Sequence, residues 1–189
     1  METDTPRPAP APVAGIEVEI SDTQSHLDVD PRRLHDVVRR TLALEGVEAG
    51  SISVALVDDA AIRVINARHL GHDWPTDVIS FGLSDPGDPE LSGELVVSAE
   101  MAAATARAVG AEPFAELALY VVHGLLHLCG HDDRTSEDAA SIRAREGEVL
   151  AELGLVNTFP LACGPEVEAG AAAEPVGEDP SRGAVRWMR

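Results

Sequence analysis

Lysine is absent from this chain: all 14 basic residues are arginine, set against 33 Asp and Glu, for a formal charge of −19 in 189 residues. A surface with that balance repels polyanions. It excludes a protein whose affinity for nucleic acid comes from broad counterion release at phosphates. Aromatic residues are scarce too, with three Phe, two Trp and one Tyr. These are too few for a sheet that stacks successive bases in the RRM or OB manner, so any nucleic-acid partner would have to be met locally or delivered by another protein. The two cysteines, Cys129 and Cys163, form no C-x-x-C pair, which excludes a disulfide framework and an all-cysteine zinc site. Cys129 is expected to be a small buried packing residue. No run of about 18 uncharged apolar residues occurs, so no membrane-spanning helix is expected. The opening METDTPRPAPAPVAG is acidic and proline-rich, where a signal peptide would be basic and then apolar. The expected location is the cytoplasm.

What is present fits one domain, since 44% of residues are hydrophobic and the length lies in the single-domain range. Residues 1–14 and 160–189 mix Pro, Ala, Gly and Glu without periodicity and are expected to be disordered, leaving a domain over 15–159. Ile16–Ser21 alternates like a half-buried strand. Asp30-Pro31 supplies an N-cap and first-turn proline for a helix to about Glu45, with Leu34, Val37, Val38, Thr41 and Leu42 on its apolar face. Arg32, Arg33, Arg39 and Arg40 lie opposite, either as a solvated helix back or as an RNA-facing ridge. Ser51–Val57, Asp77–Leu83 and Glu94–Ser98 read as further strands. Helices are expected after Asp58 or Asp59, from Ala99 to Val109, from Pro113 to Cys129 and from Ser136 to Leu153. The pattern predicts an α/β fold: a small mixed sheet of about four strands packed with about five helices.

The chemistry gathers in one of those helices. LALYVVHGLLHLC, Leu117–Cys129, carries no charge and is apolar on nearly every face, so it should be buried. A polar ring in such a place needs a partner. His123 and His127 are four residues apart, which puts both rings on one helix face within reach of a single ion. Gly130 can adopt the left-handed conformation that ends a helix, and the following His131-Asp132-Asp133 offers further ligands. The layout, H-x-x-x-H-x-x-G-x-x-D, makes this a zincin-like metal helix. A zincin peptidase, however, places its glutamate base directly after the first histidine, and here that residue is Gly124.

At this point the sequence resembles the YbeY family of ribosomal-RNA-maturation endoribonucleases. His123-Gly124-Leu125-Leu126-His127-Leu128-Cys129-Gly130-His131-Asp132-Asp133 is similar to the family signature H-G-x-L-H-L-x-G-Y-D-H, departing at its tyrosine and its last histidine. Pro75-Thr76-Asp77-Val78-Ile79-Ser80-Phe81 resembles P-T-[ND]-V-L-S-F, and Gly93-Glu94-Leu95-Val96-Val97 resembles G-D-I-x-I. The likeness runs from about Ile16 to Val156. It implies a small mixed sheet, one zinc ion, and hydrolysis of single-stranded RNA. It also implies a part in small-subunit ribosomal RNA 3′-end maturation and ribosome quality control, with the small subunit or an associated protein as partner.

The departures shape the site expectations. Asp133 takes the place of the last histidine and keeps its six-residue offset from His127, so the expected ligands are His123, His127 and Asp133, with His131 as the alternative third. Two imidazoles and one carboxylate also suit non-haem iron. The arginine that the family carries before its P-T motif aligns with Leu70. Arg68, two residues earlier, would point the same way in an extended segment and becomes the candidate phosphate contact. Asp132 or a second metal-bound water is the candidate proton relay, the sequence identifying no base, and His123 is counted among the catalytic residues. The competing classes are a non-catalytic metal-binding ribosome-assembly factor, a metalloprotease and a non-haem iron oxygenase.

Overall fold

A computed structural model of the chain describes residues 15–85, 87–159 and 184–186. The elements run β1 (Ile16–Asp22), α1 (Pro31–Leu44), β2 (Gly50–Val57), α2 (Asp59–Leu70), β3 (Val78–Gly82), β4 (Leu91–Ser98), α3 (Ala99–Val109), α4 (Pro113–Leu128) and α5 (Ser136–Glu152). The sheet order is β1-β2-β4-β3, with a three-residue strand β5 (Ala184–Arg186) on the free edge of β3. β1 and β4 flank β2 in parallel, and β3 folds back antiparallel onto β4. This is the expected α/β fold with a mixed sheet. The disorder expected for 1–14 and 160–189 concerns segments that, β5 apart, lie outside the described residues.

Local chemistry starts the helices where the sequence implies. Asp30 accepts from the Arg32 N–H ahead of Pro31, Asp58 from Ala61 N–H, Ser98 from Met101 N–H and Thr135 from Asp138 N–H. Each bond satisfies a backbone donor that the first helical turn leaves open. β4 begins at Leu91, three residues earlier than its hydrophobic run implies, because Leu91, Ser92 and Gly93 continue the ladder opposite β2.

Strand alternation sorts the sheet into two faces. Ile52, Val54, Leu56, Val78, Leu95 and Val97 join the main core with α1, α3, α4 and α5, whereas Val57, Ile79 and Val96 meet Ile62 of α2 on the other face. The central element is α4, whose Leu117, Leu119, Leu125 and Leu126 are fully buried. Each such side chain stabilises the fold by about 1.5–3 kcal/mol.

Close approach of α4 to the sheet depends on two glycines. A Cβ on Gly124 would stand 2.9 Å from Leu95 Cδ2 and 3.0 Å from both Ser80 Oγ and Val78 Cγ2. One on Gly93 would stand 2.6 Å from Leu128 Cδ1. The Ser80 hydroxyl fills the gap and donates to the Gly124 carbonyl at 3.1 Å. The position where a zincin peptidase carries its base is therefore packed against strands β3 and β4. Gly124→Glu should destabilise the fold by about 3 kcal/mol or more, through overpacking and a buried carboxylate. It should also confer no peptidase activity. A thermal melt of this variant checks the expectation, and a Tm equal to the parent's would contradict it.

Candidate metal centre

The C-terminal turn of α4 closes as the sequence implies. Gly130 sits at φ 95°, its N–H donates to the His127 carbonyl at 3.0 Å, and the His131 N–H donates to the Leu126 carbonyl at 3.0 Å. This Schellman pair reverses the chain and brings residues 131–133 back over the helix end. Donor atoms of His123, His127 and Asp133 consequently lie within 4.8 Å of one another.

Each imidazole is oriented by a bond at its far nitrogen. His123 Nδ1 meets Glu146 Oε1 of α5 at 2.6 Å, and His127 Nδ1 meets the His131 carbonyl oxygen at 2.8 Å. Both acceptors place the proton on Nδ1, so Nε2 carries the lone pair into the shared space. The two Nε2 atoms stand 3.1 Å apart, and His127 Nε2 is 4.0 Å from Asp133 Oδ2. A tetrahedral ion with bonds of about 2.0–2.1 Å separates its donors by about 3.4 Å, and the observed spacings bracket that value.

The electrostatics favour a cation. His123 and His127 are only 4% and 3% exposed. Burial, helped by the neighbouring His123, pushes His127 down to about 3, so this imidazole is neutral at physiological pH and ready to coordinate. Burial pushes the Asp133 carboxyl up from its ordinary value, and Asp133 Oδ1 is buried without a hydrogen-bond partner. Two facing lone pairs beside an unsatisfied carboxylate are costly on their own. One divalent ion would satisfy all three groups.

Other candidate residues are placed differently. The His131 ring turns away to the end of α1, where its Nε2 meets Glu45 Oε2 at 2.8 Å. Asp132 accepts from the Asp133 N–H at 2.8 Å and pairs with Arg134 at 3.3 Å, so its carboxylate braces the loop. Arg68 is not brought to the site. Its expected direction required an extended segment, but residues 59–70 are helical, and two residues on a helix are about 200° apart around the axis. Arg68 is exposed on α2, across the sheet from α4. Of the four arginines on α1, Arg33 pairs with Glu112 and lies 3.8 Å over the Phe114 ring, and Arg40 donates to the Glu152 carbonyl. Both help fasten α1 to its neighbours, which narrows an RNA-facing ridge to Arg32 and Arg39. Cys129 is half-buried, and burial pushes its thiol up to about 12, consistent with a packing role.

Sequence reasoning missed Glu146 and Glu45. Glu146 is fully buried on the stripe of α5 that also carries Ile142, Val149 and Leu150. An acidic residue on the apolar face of a helix was the signal available for it. Glu45 had none, because its link to His131 spans 86 residues of sequence.

A family model described as "Endoribonuclease YbeY" matches residues 19–154. The chain is 42% identical over 140 residues to an endoribonuclease YbeY of Carboxydothermus hydrogenoformans, covering 72% of this chain and 97% of the relative. To the Moorella thermoacetica endoribonuclease YbeY it is 40% identical over 133 residues, covering 65% and 85%. A solution structure of a Thermotoga maritima protein matches with TM-score 0.50 at 23% identity, over 82% of this chain and 99% of that one, a likeness of fold alone.

Proposed function

The chain belongs to the YbeY endoribonuclease family, and on that premise we propose that it is a zinc-dependent endoribonuclease cutting single-stranded RNA during small-subunit ribosomal RNA 3′-end maturation and ribosome quality control. The observation that carries metal dependence is the convergence of His123, His127 and Asp133 at the end of a buried helix, with Asp133 Oδ1 unsatisfied. Two imidazoles and a carboxylate fit Zn²⁺ and leave its fourth position open, which distinguishes a catalytic site from a closed structural one. When bound, such an ion supplies Lewis acidity, lowering the pKa of water and drawing charge from the scissile phosphate.

The chain's own groups do the positioning. His123 and His127 offer Nε2, while Glu146 and the His131 carbonyl hold the opposite ring edges. Asp132 fixes the backbone of Asp133 through its N–H and reaches substrate as a proton relay only by giving up that bond. With a formal charge of −19, the protein gains little from phosphate contacts. Delivery of RNA by the small ribosomal subunit or an associated protein suits that surface, with action in the cytoplasm. Among the described residues no helix is long and apolar enough to cross a membrane.

The test is cleavage of a purified single-stranded RNA by the full-length chain. Activity should vanish on chelation and return with Zn²⁺. Cleavage indifferent to chelation would remove the metal from the reading, and no cleavage under any metal would favour a non-catalytic assembly factor.

A further inference from the structure

The His127 ring is oriented by a backbone carbonyl, which no side-chain substitution at His127's partner can remove directly. That carbonyl belongs to His131, so the direction of His127 depends on what holds the turn at residue 131 in place. The Gly130 Schellman bonds fix the chain on the helix side. On the other side the His131 ring is tied to Glu45 Oε2 at 2.8 Å, in a contact where the two side chains are 28% and 10% exposed. Glu45 is itself braced: Arg145 Nε donates to Glu45 Oε1 at 2.7 Å, Arg145 Nη2 to the Leu44 carbonyl at 2.9 Å, and Arg145 Nη1 to Glu148 Oε2 at 2.7 Å. The end of α1, the turn after α4 and the middle of α5 are thereby joined through one carboxylate.

Adjacent residues of α5 thus serve the two histidines by different routes. Glu146 reaches His123 directly, and Arg145 reaches His127 through Glu45 and His131. We propose that Glu45 and His131, braced by Arg145, are positioning residues that aim His127 Nε2 and present Asp133 at the metal centre. The inference rests on the reading that His127 and Asp133 are metal ligands. Without the tether, the 131–133 segment keeps its helix-side bonds but loses its hold on α1, and the carbonyl can swing away from His127 Nδ1.

The experiment is titration of the full-length chain with Co²⁺, whose visible absorption reports coordination geometry. The parent should bind one ion, and His127→Ala should abolish binding. Glu45→Ala and His131→Phe should bind about ten- to a hundredfold more weakly, the range expected when an outer partner of a ligand is lost, with altered absorption bands. His131→Gln, whose amide N–H can donate to Glu45 as the ring does, should stay close to the parent in affinity and spectrum. Parent-like affinity and spectrum in both Glu45→Ala and His131→Phe would overturn the inference while leaving the metal site standing. Equal failure of His131→Phe and His131→Gln beside an unaffected Glu45→Ala would overturn it as well, by making the His131 ring a ligand. A parent that binds no Co²⁺ would remove the metal site itself, and the inference with it.

Discussion

His127→Ala is expected to yield a folded protein that holds no metal and has lost RNA cleavage by about a thousandfold or more, equivalent to roughly 4 kcal/mol of transition-state stabilisation. The loss is large because the substitution leaves two donors, His123 and Asp133, around a site that now has three. Folding should survive for an electrostatic reason. Burial holds the His127 imidazole neutral, so no paired charge is left stranded when it goes. The facing Nε2 pair at 3.1 Å is removed at the same time, and water can enter the polar space left behind. Metal content and RNase activity measured on one preparation decide the matter, and a metal-free variant that still cuts RNA at the parental rate would sink the mechanism.

The second large effect is expected at Asp133, where the chain departs from the signature it resembles. Asp133→Ala should lose metal affinity by more than about a hundredfold, exceeding the loss typical of an outer partner. His131→Ala should still fill with one ion when metal is in excess, since its ring is engaged with Glu45 and its carbonyl, not its side chain, serves His127. Asp133→His should retain a zinc site, because a third imidazole is an ordinary ligand at that offset. Calorimetric titration of the three variants with Zn²⁺ separates the possibilities. An Asp133→Ala protein as tightly loaded as the parent, beside a His131→Ala protein that takes no metal in excess, would reverse the assignment.

Much of this centre was legible in the order of residues, because its main parts are close together along the chain. Helical geometry alone puts His123 and His127 on one face. Gly130 then allows the reversal that returns Asp133 within reach, a turn whose hydrogen bonds span only a few residues. The same locality made the starts of α1 and α2 predictable, from Asp30 and from the Asp58-Asp59 pair, of which Asp58 is the cap. Period-two alternation likewise marked β1. Where an inference needed the direction of a side chain outside such a local rule it failed, as at Arg68, whose helical setting turns it away from the face Leu70 occupies.

By itself the sequence determined the five helices, the paired histidines and the turn that follows them, since each rests on bonds between near neighbours, and it marked the four strands β1–β4 but not β5. Only the tertiary structure decided which acceptors orient the rings, which side chain of the 131–133 run faces the site, and why Gly124 must lack a side chain. Those outcomes depend on Glu146, Glu45, Ser80 and Leu95, brought to the helix from α5, the end of α1, β3 and β4. Contacts of that kind are created when the core packs, and nothing in the spacing of residues along one segment encodes which distant group will meet it.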